Sequence, residues 1–104
     1  MRSPEDERLL AALGFAMKAG KVRSGEFAAQ KALKSGRAAL AVIDKDCSEQ
    51  TKKHWSQMCI NAGVPLIEAE GPGRAIGKDS HMVACVLDNG FAEMILRCRQ
   101  KNEL

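Results

Sequence analysis

The sequence predicts an α/β protein, a three-layer α/β/α sandwich, and three observations carry that prediction. Residues 38–43 (Ala-Ala-Leu-Ala-Val-Ile) and 81–87 (His-Met-Val-Ala-Cys-Val-Leu) are near-continuous apolar runs, the pattern of strands buried on both faces. Around them lie stretches whose apolar residues recur at helical spacing, several of them stopped by glycine. Strand-like and helix-like segments alternate with short connections, which puts helices on both faces of a sheet.

Each element follows in order. Ser3-Pro4-Glu5-Asp6 starts the first helix with a cap, a proline at the first helical position and acids facing the helix dipole. Leu9, Leu10, Leu13, Ala16 and Met17 then recur at helical spacing, and Gly20 ends the helix. Val22 sits in a short extended piece. A second helix is expected from about Gly25 to Ser35, capped by Ser24, burying Ala29, Ala32 and Leu33 and closed by Gly36. The apolar strand 38–43 follows and ends in Asp44-Lys45-Asp46. Ser48 caps a third helix that runs to about Ala62, turns Trp55, Met58 and Cys59 inward and stops at Gly63. Val64-Pro65-Leu66-Ile67 reads as a strand with its proline near the start. Gly71-Pro72-Gly73 opens a short helical turn that includes Ala75 and Ile76. After the strand 81–87, Asp88-Asn89 caps a last helix packing Phe91, Met94, Ile95 and Cys98, and a polar tail from Arg99 is expected to fray.

At 104 residues the chain is long enough for one domain with a real core, residues 1–104, and too short for two. With 45% hydrophobic and 28% charged residues it has the composition of a soluble globular protein. A net charge of +3 and a pI near 8.8 permit nucleic acid without demanding it. The basic residues crowd the first half, while Glu68, Glu70, Asp79 and Asp88 dilute the second. The acidic start is no signal peptide, and no apolar run approaches the ~20 residues that span a bilayer. A cytoplasmic protein with no membrane partner is expected. Cys47, Cys59, Cys85 and Cys98 are even in number, yet without a signal sequence reduced thiols are the better reading. There is no CxxC pair, and His54 and His81 are not spaced to complete a zinc site, so neither a metal nor another cofactor is expected.

Catalytic patterns are scarce. Gly71-Pro72-Gly73-Arg74-Ala75-Ile76-Gly77 misses a dinucleotide fingerprint by one residue of spacing, and a proline fills its tight turn. Gly77-Lys78-Asp79-Ser80 hints at a phosphate loop but lacks the upstream glycine and carries aspartate where a hydroxyl would hold magnesium. A glycine-rich turn entering a short helix explains both. Cys47, between a strand and a helix, sits where a thiolate pKa could fall, against the plainer reading of a small residue beside a cap. Glu68 and Glu70 alternate on a strand and share a face, as a solvated edge would. His81 is read either as a loop side chain contacting a ligand or as a surface histidine.

The basic stretch is different. Lys18, Lys21 and Arg23 precede Gly25, Lys31, Lys34 and Arg37 follow it, and Glu26 is the only acid among them. Lysines at helical spacing usually mark a solvated face. Here Lys31 and Lys34 lie about one turn apart on one side, and cations beside a helix N-terminus form a site for phosphate. Phe27 on the first turn has two readings, stacked on an unpaired base or packed under the sheet.

Residues 13–25 (Leu-Gly-Phe-Ala-Met-Lys-Ala-Gly-Lys-Val-Arg-Ser-Gly) and 31–38 (Lys-Ala-Leu-Lys-Ser-Gly-Arg-Ala) resemble the opening of the L7Ae/L30e-type ribosomal proteins. Asp46 at a strand end and Gly73-Arg74-Ala75-Ile76-Gly77-Lys78 fit too, and Asp88-Asn89-Gly90-Phe91-Ala92 resembles the bacterial YlxQ-like branch. The resemblance covers nearly the whole chain. It implies a mixed four-stranded sheet in the sandwich and kink-turn or similarly bent RNA as ligand. It further implies that the start of the second helix enters the widened groove at the bend, that Lys31 contacts phosphate, and that the loop from Lys78 to His81 covers an extruded base. Many members carry a polar pair two and three residues after the glycine at the helix start. Phe27 and Ala28 stand there and make no base-edge hydrogen bonds, so altered kink-turn specificity is expected.

The expectation is therefore a non-enzymatic, ribosome-associated, monomeric RNA-binding protein that meets structured RNA, with ribosomal proteins as further partners. Lys21, Arg23, Ser24, Gly25, Glu26, Phe27, Lys31 and Lys34 form its RNA site, and Arg74, Lys78 and His81 approach from the second loop. A protein-interaction adaptor on the same fold, with Phe27 and Ala28 in an apolar patch, is the alternative. An enzyme using Cys47 or a nucleotide at Gly77-Lys78 comes third.

Overall fold

The structure, a computed structural model, describes residues 4–99. In chain order the elements are α1 (Pro4–Lys18), β1 (Val22–Ser24), α2 (Glu26–Lys34), β2 (Leu40–Asp44), α3 (Glu49–Ala62), β3 (Leu66–Ala69), α4 (Pro72–Ala75), β4 (Val83–Val86) and α5 (Asn89–Arg99). The sheet order is β1-β4-β2-β3, with β2 and β3 parallel and the other two pairings antiparallel. This is the mixed four-stranded sheet that the resemblance implied.

The two apolar runs form the middle of the sheet, which is why they lack polar alternation. Successive side chains of a strand point to opposite faces. Leu40 and Val42 therefore join Leu9, Leu13, Val86 and Ile95 under α1, α4 and α5, while Ala41 and Ile43 join Ala29, Leu33, Trp55 and Cys85 under α2 and α3. Helices cover both faces, and the three-layer sandwich stands.

Several local expectations need correction. The strand expected at 38–43 starts at Leu40, and that expected at 64–67 starts at Leu66. Pro65 precedes the ladder and contributes only its carbonyl, which accepts from Ala41 N–H at 3.0 Å. His81 and Met82 are apolar-run residues by sequence but precede the strand: His81 closes the 78–81 turn, and β4 begins at Val83. Met94 is 44% exposed instead of packed. Ser48 caps α3, accepting from Thr51 N–H at 3.1 Å, and Gly63 ends it in the left-handed conformation, both as expected. Asp88 accepts from Phe91 N–H at 2.9 Å at the start of α5. The expected cap at Ser3 and the tail beyond Arg99 lie outside the described residues.

Arg99 itself does not fray. Asp6, in the first turn of α1, is fully buried. Its Oδ1 accepts from Arg99 Nη2 at 3.1 Å, and its Oδ2 lies 3.3 Å from both Lys45 Nζ and Glu70 N–H. Arg99 also donates to the Glu68 carbonyl. One carboxylate thus joins α1, the end of α5, the chain after β2 and the chain after β3, and it faces the positive end of its own helix.

Asp6→Ala is expected to lower the unfolding free energy by about 2 kcal/mol in urea titration. That is the value of a hydrogen bond to a charged group; a fully sealed ion pair would be worth more, but Lys45 and Arg99 can turn to water. Asp6→Asn, which keeps the volume and an acceptor, should lose less.

Candidate nucleic-acid interface

Because β1, β2 and β3 all run opposite to β4, their C-terminal ends gather at one end of the sheet beside the start of β4. Gly25 N–H donates to the Val83 carbonyl and Asp44 N–H to the Met82 carbonyl, both at 2.9 Å. That end holds the candidate site.

Its first half is the turn from β1 into α2. Gly25 has φ +88°, a conformation that side-chain-bearing residues avoid. It occupies the N-cap position of α2 and brings no side chain to the first-turn amides. The expected Ser24 cap is therefore corrected: Ser24 is the last residue of β1. Its hydroxyl shares a 2.8 Å hydrogen bond with His81 Nδ1, the hydroxyl donating when the imidazole proton is on Nε2. A Cβ at Gly25 would meet the His81 ring at 3.2–3.4 Å. The imidazole lies against the helix start.

The second half is the loop before β4. Lys78 N–H donates to the Gly73 carbonyl at 2.7 Å, and His81 N–H donates to the Lys78 carbonyl at 2.8 Å, closing a tight turn. That turn lies directly on Gly73, where a Cβ would overlap the carbonyl oxygens of Lys78 and His81. Two glycine-containing segments far apart in sequence are thus brought face to face through His81.

The outer face of α2 completes the arrangement. At about 100° per residue, Phe27, Lys31 and Lys34 fall within an arc of about 60°, opposite the buried Ala29, Ala32 and Leu33. Phe27 is 80% exposed, so the reading that packs it under the sheet fails. Glu26 points elsewhere: its Oε2 accepts from the Nε1–H of buried Trp55 at 2.9 Å. Gln30 Nε2 makes a second tie to α3, 3.3 Å from His54 Nε2 and 3.1 Å from Met58 Sδ. Neither tie is visible in sequence, since no spacing rule links α2 to α3.

Not all the expected cations converge. Lys21 precedes β1, and its carbonyl accepts from Leu87 N–H at the opposite end of the sheet, four residues or roughly 13 Å from Gly25. Arg23 Nη1 donates back to the carbonyls of Val22 at 3.0 Å and Gly20 at 3.4 Å, away from the helix start. Lys31 lies about 9 Å and Lys34 about 13 Å along α2 from Gly25. Arg74 on α4 and Lys78 on the turn are exposed at the near end. Among the described residues, none of these six cations has a carboxylate within 4.0 Å, whereas Lys45, Lys52, Arg97 and Arg99 do. A wide apolar depression of about 680 Å³, lined by Leu10, Gly14, Phe15 and Ile76, lies apart between α1 and α4. It holds none of the stripe residues.

A model of the ribosomal protein L7Ae/L30e/S12e/Gadd45 family matches residues 7–96. The chain is 37% identical over 87 residues to the RNA-binding protein YlxQ of Bacillus subtilis, covering 81% of this chain and 87% of that one. It is 32% identical over 92 residues to the large ribosomal subunit protein eL8 of Cenarchaeum symbiosum, covering 85% and 73%. Among solved structures, a Bacillus halodurans protein of unknown function superposes with TM-score 0.81 at 30% identity, covering 88% of this chain and 95% of that one. The Giardia lamblia 15.5kD RNA binding protein superposes with TM-score 0.76 at 21% identity, covering 95% and 91%, a likeness of fold.

Cys47 is buried, and desolvation outweighs the nearby Lys52, so its thiol is pushed up, against the reading that its pKa could fall and in line with the plainer one of a small residue beside a cap. Burial also raises Cys59, and it pushes Cys85 up to about 12, with Cys59 adding to the effect. Cys85 Sγ donates to the Ala29 carbonyl at 3.4 Å. A thiol raised on folding contributes its stability fully below its ordinary value of 9.0 and loses it as pH climbs toward 12. Unfolding free energy should therefore fall on the alkaline side of pH 9, with Cys85→Ala flattening that slope. Native-state alkylation at pH 8 should modify half-buried Cys98 ahead of the three buried thiols.

Proposed function

This chain belongs to the ribosomal protein L7Ae/L30e/S12e/Gadd45 family, and from that premise we propose that it is a non-enzymatic RNA-binding protein. It is a single domain that grips bent, kink-turn-like or looped structured RNA and works in the cytoplasm in association with ribosomes, as a monomer. The names of its Bacillus and Cenarchaeum relatives support RNA and the ribosome as the setting. Among the described residues no helix is long and apolar enough to cross a membrane.

The observation that carries the reading is the uncapped start of α2 set against the 78–81 turn, with cations on both sides that no carboxylate among the described residues neutralises. A phosphate at the first-turn amides would gain hydrogen bonds and the favourable end of the helix dipole. Lys31 would neutralise the neighbouring phosphate along α2, and Arg74 and Lys78 would approach from the opposite wall. His81, held on Gly25 by Ser24, would keep the two walls at fixed distance. Lys21 and Arg23 would act only through the general field at the far end. Glu26 would serve by anchoring α2 to Trp55. The second reading, an adaptor meeting a protein through Phe27 and Ala28, draws on the exposure of Phe27.

Lys31→Ala should weaken binding to all structured RNAs tested and reduce the slope of log K against log salt by about one phosphate contact. Arg23→Ala should change both far less. Fluorescence anisotropy with a kink-turn RNA and a looped hairpin at several salt concentrations checks this. Unchanged affinity for Lys31→Ala would remove that lysine from the site.

A further inference from the structure

We infer that Phe27 is a stacking platform for an unpaired nucleobase, so that this site selects RNA by an extruded or looped base instead of by the edges of paired ones. The inference rests on the RNA-binding reading and specifies what its helix face recognises. Among the described residues four other large apolar side chains are exposed, Phe15, Ile60, Met82 and Met94, but Phe27 is the most exposed of the five at 80%. It alone among them shares a helix stripe with two lysines that no carboxylate among the described residues pairs. A lone exposed aromatic is unremarkable on a protein surface. One flanked by unneutralised cations complements a polyanion that carries aromatic faces.

The backbone beneath the platform is anchored. Gly25 N–H, two residues before the ring, donates to the Val83 carbonyl, and the preceding residue, Glu26, accepts from Trp55. Only the two side-chain torsions of the ring are left to be ordered when a base covers it. Lys31 stands one turn further on the same stripe, about 6 Å between Cβ atoms, within reach of the phosphate of a nucleotide stacked on the ring. The uncharged and acidic neighbours are partly engaged elsewhere. Glu26 is bound to Trp55, Gln30 to His54 and Met58, and Ala28 has no polar atom in its side chain. Stacking tolerates any base because each has a π-face, so the preference falls on unpaired nucleotides and not on a sequence.

The test uses the full chain with two RNA probes of equal length, a hairpin with 2-aminopurine in its loop and a fully paired duplex. Wild-type protein should bind the hairpin more tightly and change the 2-aminopurine emission on binding. Phe27→Ala should weaken hairpin binding about tenfold, abolish the emission change, and leave duplex affinity and the salt slope unaltered. Phe27→Trp should retain hairpin affinity, while Phe27→Leu, apolar but without a π-face, should not. The ring is outside the core, so circular dichroism of each variant should match wild type. Wild-type hairpin affinity in Phe27→Ala or Phe27→Leu, with RNA binding otherwise intact, overturns this inference alone and favours a protein contact at Phe27. Failure of the wild-type protein to bind either RNA overturns the RNA-binding reading with it.

Discussion

The close approach of the 78–81 turn to Gly73 is the constraint on which the candidate site depends. No side chain fits there, because the carbonyl oxygens of Lys78 and His81 occupy the space a Cβ would need. The turn is closed by its own hydrogen bonds, so it cannot lift away piecemeal. Its position delivers His81 to Ser24 and lays the imidazole on Gly25. Gly25 is glycine for two reasons at once, its positive φ and the ring against it. The site is therefore built from backbone proximity, with side-chain chemistry added on its rim.

Charge is divided along the same lines. Asp6 holds Lys45 and Arg99, and Lys52 lies between Glu49 and Glu68. Those cations serve the closure of the sandwich. Lys31 and Lys34 have no such partners among the described residues, and the one acid of α2 bonds to Trp55. A net charge of +3 therefore understates the local field on the outer face of α2. Exposed pairs contribute little to stability, so leaving these lysines unpaired costs the fold little.

Much of this was legible in the sequence because its signals were local. Two-sided burial left β2 and β4 apolar, and Gly63 and Ser48 marked the ends of α3 by their own conformational preferences. Lys31 and Lys34 share a face by simple helical arithmetic. What failed was decided by neighbours distant in sequence. Ser24 has the chemistry of a cap, but the backbone at Gly25 takes the cap position and His81 takes the hydroxyl. Arg23 looked like a member of the cationic cluster because it adjoins Ser24, yet its guanidinium folds back onto the preceding carbonyls. Asp6 sits between Glu5 and Glu7 and nothing local singles it out; only the return of α5 and the ends of β2 and β3 bury it. Strand ends were misplaced because hydrophobicity reports burial and does not report pairing, and His81 and Met82 continue an apolar run past the ladder.

These ties also bear on what kind of recognition the helix could perform. A base-edge reader on α2 would need a polar side chain free to meet the ligand in the first two turns. Glu26, Gln30 and Lys31 are the polar residues there, and the first two are tied to α3 through Glu26 Oε2 and Gln30 Nε2. Turning Glu26 outward would strand the Nε1–H of a fully buried Trp55, a donor whose desolvation would no longer be offset. The same bond that steadies the start of α2 thus engages one oxygen of its carboxylate. Discrimination on this face would then lean on shape, on phosphate placement and on the exposed ring of Phe27.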